Sequence, residues 1–558
     1  MLHPLVTQCI HRLRRWSVLR FVLPSALLLS VLSSGHIEAQ PVQPYVDHWD
    51  SLKTIKRSEG LYVNGLEWGE WSYWDRSGKL LEISSQAGGM LHGRTRKYYA
   101  NGQVQHDGWF RKGKQDSIMT SYYASGQVME SGWYKKGVKD STWHYFFADG
   151  KPLLNEVWND SLVIVIDAWD KDGSRTLTKG DGLVRAYFPS GAKQEETAYA
   201  VGVKSGASTL FYPSGLPQAK GTYLAGVRHG KWEYWFSKGT LQKVETYQRG
   251  KLSGPYLLNF SSGEPNIVGH YKDGLKDSLW TWHTTKAQKD MEGSFLDDKQ
   301  HGAWRYWYPS GQMSSTGTYA NDKEHGDWVY FYEGGQFWKK GSFNDGKKTG
   351  TWTTWFENGK KLQEGPYING VAEGEWMSWF ENGQQKDIGS FTAGKISGLW
   401  RGWNPEGQPE YEGWWKDDRK DGAWKFWWEN GKLKEEGFYA AGKKGGRWVS
   451  YNNYGSITSE GNYTEGIPNG PWIYYDDAGV KMREQNLVMG DPDGKCLVYD
   501  QRGRVVQEMN YKFGRLHGTM TTFDMSGKPT KTVEYENGQI KKAPVPKGKK
   551  VGSVPGMR

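Results

Sequence analysis

Five of the thirteen histidines in this 558-residue chain, His92, His229, His301, His325 and His517, each stand directly before a glycine at the same position of a repeated unit. Imidazoles at fixed spacing would form a ladder of metal ligands if their rings converged on a common ion. Other copies carry Asp421, Ser253 or Asn469 at that position. These residue types share the habit of building turns, so the spacing predicts a turn residue, with no metal bound. Asp170-Lys171-Asp172-Gly173 begins like a calcium loop, but it lacks a third carboxylate in register and the terminal Glu. Cys496 stands where most copies have Trp and would be the sole cysteine once the first 39 residues are removed. It is therefore predicted to be a packed thiol with no disulfide partner, not a nucleophile. No phosphate loop, GxSxG elbow or HExxH occurs. Catalysis needs one unrepeated constellation, and only residues 159 to 181 escape the repetition, so the chain is expected to be no enzyme and to need no cofactor.

The repeat itself must position whatever function there is. Taking Gly311 as reference, the same glycine falls at 78, 102, 126 and 150, then at 191, 215, 239, 263, 311 and every 24 residues to 527, with Ala287 the one break in the second run. Seven residues before it stands Trp: Trp71, Trp143, Trp232, Trp280, Trp304, Trp328, Trp352, Trp376, Trp400, Trp424, Trp448 and Trp472. Four before it is an aromatic, such as Trp307, Phe331, Trp355, Trp379, Trp403 or Trp427. Eight after it is Tyr or Phe, as at Tyr319, Phe343, Tyr367, Phe391 and Tyr439. Short aromatic segments bounded by Gly, Asn, Asp and Ser predict β-hairpins. Gly311, Gly335, Gly359, Gly383, Gly407 and Gly431 are read as the glycines of the first turn, preceded by Asn or Ser types that preset it. Gly302, Gly326, Gly350 and Gly374 are read as ending the second turn.

Alternation sets the faces. The Trp position and the one four further on share a face, and this face meets the apolar positions of the second strand only across a loop with an even number of residues. The expected loops are therefore of two or four residues, with Trp304 opposite Gly293 and, by the same register, Gly302 opposite Phe295. Glycines facing aromatics would be packing sites.

Along the chain, residues 1 to 39 read as a signal peptide, with a retained anchor as the alternative: Arg12, Arg14, Arg15 and Arg20, an apolar FVLPSALLLSVL, and a cleavage site before Gln40. Residues 40 to 54 are a lead-in, and 55 to 158 a first sub-array that opens on a half-repeat at Gly60, Tyr62 and Gly65. Residues 159 to 181 are a shortened repeat or a boundary, 182 to 540 a second sub-array, and 541 to 558 a disordered basic tail. Of the formal charge of +10, four arginines less Glu38 give the leader +3 and the tail carries +6, leaving +1 on the repeats. A nucleic-acid-binding face would need a basic stripe along the repeats, and acidic residues recur among the lysines, as at Asp417-Asp418 and Glu435-Glu436, so no nucleic-acid partner is expected.

No hairpin of this size buries its own aromatic face, so copies must line up and share one. The fold class is all-β: an elongated array of about nineteen 24-residue hairpins forming a twisted, open, solenoid-like sheet with an aromatic ladder, on the order of 190 Å long.

Units such as WFENGKKLQEGPYINGVAEGEW (355 to 376) and WWENGKLKEEGFYAAGKKGGRW (427 to 448) resemble the variant MORN repeat of the YwqK-type antitoxin family of bacterial proteins. The resemblance covers about residues 55 to 540 and implies a ribbon of hairpins used as a binding scaffold, with no catalytic residues to carry over.

The expected function is a non-enzymatic exported scaffold for protein–protein interaction at the bacterial cell envelope or surface, in the periplasm, on the outer surface or secreted. A second reading is a glycan- or cell-wall-binding protein using outward aromatics. A third is the antitoxin- or immunity-like role of the family label, against which an export signal argues. The basic tail would add a weak membrane-surface contact.

Overall fold

The computed structural model describes residues 42–160 and 162–542; the expected signal peptide and all but the first two residues of the basic tail lie outside them. The described residues form 46 strands and no helix, and the strand pairings are antiparallel. The chain divides into two units, one ending at Val163 and one beginning at Ile164. In the first, strands from Val42–His48 to Pro152–Asn159 pair in chain order; in the second, strands from Leu162–Trp169 to Gln539–Ile540 do the same. Neither ladder closes on itself. The expected all-β, open repeat sheet with an aromatic ladder is the structure's architecture.

Two different turns alternate. At the first, the Tyr308 amide donates to the Gln312 carbonyl at 2.8 Å and the Gly311 amide to Tyr308 O at 2.8 Å. The loop Pro309-Ser310-Gly311 therefore has three residues, a type I turn followed by a left-handed glycine, with φ +90° at Gly311. The even loops expected from sequence are overturned, and so is the two-residue Asn-Gly loop: around Gly359 the amide of Phe356 likewise reaches Lys360 O at 2.9 Å. Parity is restored by a bulge. Trp307 pairs with Met313 but Tyr306 with Ser315, so Ser314 is an extra residue that brings both aromatic faces to the same side.

The second turn is a two-residue type I′ turn, as at Asn321 (φ +51°) and Asp322 (φ +67°) between paired Ala320 and Lys323. Gly302, Gly326, Gly350 and Gly374 do not end it. Gly302, Gly326 and Gly350 lie inside the following strand and Gly374 opens its second segment, all at left-handed φ of +64° to +77°, and they make a second bulge. Because that bulge inserts Gly302 and Ala303 between the pairs Gly293 with Trp304 and Ser294 with His301, Phe295 meets Gln300. Gly302 instead pairs with Tyr319 on its other edge.

The lead-in, 40 to 54, contains the strand Val42–His48, paired with Lys56–Val63, so the first described hairpin has both its strands. The slip between Gly150 and Gly191 also has a structural form. Gly173 (φ +89°) closes a first turn of the ordinary kind, 23 residues after Gly150 and 18 before Gly191. The shorter copy has lost half of one strand: Arg175–Thr178 has 4 residues where its counterparts have 8.

Candidate functional site

The ladder is built from pairs of residues on neighbouring hairpins. Trp328 stands opposite the glycine six residues after the preceding turn, Gly317, and lies flat over it: a Cβ on Gly317 would sit 2.1 Å from Trp328 Cδ2. The same relation links Gly293 with Trp304, Gly341 with Trp352, Gly413 with Trp424 and Gly461 with Trp472. The glycine's lack of a Cβ is what lets the indole reach the backbone. Where a copy lacks Trp, the glycine is usually gone too: Thr95 faces Ser84, Ser208 faces Thr197 and Cys496 faces Gln485. Gly108 opposite Met119 is an exception.

The indole N–H has a defined partner. Trp304, Trp328 and Trp352 donate to the carbonyls of Ser294, Thr318 and Ser342, each at 3.1 Å. Those carbonyls follow the covered glycine at the glycine-bearing bulge, so the tryptophan side chain satisfies a group that the interrupted ladder leaves open. Tyr319, eight residues after its turn, wedges edge-on between Trp304 and Trp328, at 5.7 and 5.2 Å. Burial and ring geometry together make this row the core. Trp280, Trp304, Trp328, Trp424 and Trp448 are 2 % exposed, Trp352 4 % and Trp472 7 %, whereas Trp376 and Trp400 are half-buried.

The other sequence candidates fall in definite places. The turn glycines Gly335, Gly359, Gly383, Gly407 and Gly431 share the left-handed geometry of Gly311, at φ +77° to +90°. The histidine position lies just before the bulge glycine, in a strand at His92 and Asp493 and between two short strands at Glu373 and His517, and it reaches the next hairpin. Nδ1 of His92 and of His517 accepts the amides of Lys112 and Asn537, the first residues of the following type I′ turns, at 3.4 Å. Glu373 and Asp493 accept the equivalent amides of Ala393 and Phe513 at 2.7 and 3.0 Å. In these copies the residue is an acceptor that clamps a neighbouring turn, whereas Nδ1 of His229 is buried without a hydrogen-bond partner among the described residues. Asn469 makes the same bond to the Met489 amide at 3.4 Å, so His, Asp, Glu and Asn can each supply the acceptor. Among the described residues no three His, Cys, Asp or Glu gather as metal ligands.

Asp170 accepts Arg185 Nη1 at 2.9 Å and the hydroxyl of Tyr187; although burial pushes its carboxyl up, those donors hold it below the usual range. Asp172 caps its own turn through the Ser174 amide at 2.8 Å. Cys496 is 1 % exposed beside Gln485, and burial pushes its thiol up, so it stays protonated and packed.

Sequence reasoning missed a set of cations. Four residues before several ladder tryptophans stands a Lys or Arg whose charge lies over the indole: Lys348 4.5 Å from the Trp352 ring, Lys420 4.2 Å from Trp424 and Lys444 3.8 Å from Trp448. The signal was present, a basic residue at constant distance from Trp, but it was hidden among other lysines near the turns.

The opposite face is wetter. The residue after each covered glycine points away from the ladder, and here Trp109, Trp133, Trp414 and Phe438 are 48 %, 50 %, 50 % and 47 % exposed. The aromatics four before the turn glycine, Trp307, Trp355 and Trp379, are half-buried, with Lys289, Lys340 and Lys361 over their rings at 5.3 to 5.6 Å.

Hairpins of constant register joined through a shared aromatic row define a β-repeat scaffold. A model of the MORN repeat variant matches residues 91–108, 228–249, 300–321, 348–369 and 420–441, and the chain carries repeats of that type at those five places. No curated protein matches the chain significantly in sequence. Among solved structures, the crystal structure of TcdB2-TccC3 without hypervariable C-terminal region is 9% identical over 89% of this chain and 34% of that one, with a TM-score of 0.12. That of TcdB2-TccC3-Cdc42 is 10% identical over 88% and 32%, also at 0.12. The chain spans about a third of those chains, and at that TM-score the likeness supports no argument.

Proposed function

We propose that this chain is a non-enzymatic repeat scaffold of the YwqK-type MORN variant, exported to the envelope or surface of a bacterium, where it holds protein partners. The observation that supports this is the recurrence, on the face away from the ladder, of half-exposed aromatics at one repeat position, Trp109, Trp133, Trp414 and Phe438. Large exposed rings, repeated within each unit, are the residue type that anchors protein interfaces, and a repeated surface gains from several weak contacts at once. The rings that a glycan-binding role would use, four before each turn glycine, are partly covered by lysine ammonium groups. That coverage favours the protein-binding reading.

The test is affinity capture from envelope extracts with the chain from Gln40 onward, set beside a variant carrying Trp109→Ser, Trp133→Ser and Trp414→Ser. Proteins retained by the first and lost from the second are expected. Retention unchanged by the substitutions, or binding to insoluble peptidoglycan alone, would contradict the proposal. Export is tested separately by the mature N-terminus, expected at Gln40.

A further inference from the structure

Every ladder tryptophan turns one indole face away from its glycine, and two devices cover that face. One is an aromatic two residues further along the same strand: Tyr306 stacks on Trp304 at 6.0 Å, Tyr330 on Trp328 at 5.7 Å and Tyr474 on Trp472 at 6.0 Å. The other is the cation four residues earlier, over Trp352, Trp424 and Trp448. In two repeats that cation is also paired with a carboxylate, Lys444 with Glu435 at 2.7 Å and Lys139 with Glu130 at 3.2 Å.

Trp376 and Trp400 have neither device. Four residues before them stand Ala372 and Ile396, and two residues after them Ser378 and Gly402. Both indoles are accordingly half-buried, unlike the rest of the ladder. A groove of about 800 Å³ opens there, walled by Tyr367, Trp376, Phe391 and Trp400 and bordered by Ser378 and Asp387. Asp387 occupies the repeat position of Glu435, 48 residues earlier. Its carboxylate accepts the Ser378 hydroxyl at 3.0 Å and the Tyr411 hydroxyl at 2.5 Å, and among the described residues no Lys or Arg pairs with it. The site thus keeps the rings of the flanking cation sites and lacks the cation over Trp376. The carboxylate nine residues before Lys444 and Lys139 has become Gln363 here, and Asp387 stands instead where Glu435 faces Lys420. The lysine among the groove's lining residues, Lys386, lies over Phe380 at 5.8 Å.

We propose that this groove binds the ammonium group of a lysine side chain supplied by a partner polypeptide, seated over Trp376 and Phe391 with Asp387 as its counter-ion. Lys348, Lys420 and Lys444 fill the corresponding places from within the chain. Aromatic faces attract a desolvated cation, and a charged hydrogen bond to the carboxylate adds direction. The carboxylate-paired cations named above are lysines, and a primary ammonium offers the N–H donors that a quaternary one lacks. The scaffold reading supplies the source of the lysine; the groove's chemistry stands apart from it.

The test is saturation-transfer NMR on the full chain with N-acetyl-lysine N-methylamide, against the norleucine analogue, which keeps the stem and loses the charge. Saturable transfer to the lysine side chain is expected, at least about five-fold stronger than to norleucine. It should be lost in Ala372→Lys, which installs the internal cation, and in Ser378→Tyr, which installs the stacked ring, and weakened in Asp387→Asn. Equal transfer to norleucine, or lysine binding undiminished in either filled variant with tryptophan emission unchanged, would overturn the proposal, as would tighter binding of choline. A positive titration alongside a failed capture experiment would remove the scaffold reading alone.

Discussion

A tryptophan that lies on a neighbour's glycine makes two residues depend on each other. With the Cβ of an alanine at Gly317 falling 2.1 Å from Trp328 Cδ2, Gly317→Ala should cost about 1–3 kcal/mol by overpacking. Trp328→Leu frees the space, so the double variant should lose less than the two single losses combined, measured by urea unfolding. Tyrosines of the same ladder predict a pH effect. Burial pushes Tyr73 and Tyr256 up to about 12, against about 10 for an exposed phenol. From about pH 10 to 12 the unfolded chain sheds protons that the folded chain retains, so stability should be level below about 10 and fall above it. Urea midpoints, with phenolate absorbance followed in parallel, check this. The Trp304 and Gly293 pairing was legible in sequence because period and alternation fix which residues oppose each other. The place of Phe295 was not, because the bulge at Gly302 depends on a backbone conformation that any glycine permits and none announces.

At the scale of the hairpin, the loops show how a wrong count still gave the right face. A three-residue loop plus the extra Ser314 has the same parity as the even loop expected, so the aromatic pattern alone could not separate them. The histidine position was legible as an exchangeable polar residue, but its bond to the next turn needs two hairpins in register to be visible. The bulge glycines carry a prediction of their own. Gly326 sits at φ +68°, a conformation that Ser141 and Ser278 adopt at the same repeat position at +61° and +62°. Gly326→Asn should therefore cost less than about 1 kcal/mol, and the β-branched Gly326→Val clearly more, by urea unfolding of each variant. The lysines over the indoles belong to this scale too, since Lys348, Lys420 and Lys444 each also lie over a tyrosine, Tyr367, Tyr439 and Tyr463, on the partner strand of their own hairpin. Lys444→Met keeps the apolar stem and removes the charge; a loss of about 0.5–2 kcal/mol is expected, shrinking at high salt as Glu435 loses its partner.

At the scale of the whole molecule, the organising fact is that within each of the two units a hairpin buries its aromatic face against its neighbours. Stability should then be a sum of nearest-neighbour terms, and the array should accept the loss of one complete copy. The repetition made the architecture readable from sequence, since one register rule applied many times over. The shortened copy between Gly173 and Gly191 was legible only as one of two readings, a short repeat or a boundary, because its landmarks are missing while its turn geometry persists. The vacated cation site at Trp376 escaped for the opposite reason, being defined by what two of many similar copies lack. The most direct test of the account is excision. Removing residues 312 to 335, one 24-residue period, brings the strand Lys299–Trp307 against Phe337–Asn344 with Trp352 still over Gly341. This variant should unfold cooperatively near the parent's midpoint, while removal of 312 to 323 alone, half a period, should abolish the native tryptophan emission of the neighbouring repeats. Equal damage from the two excisions would contradict the account.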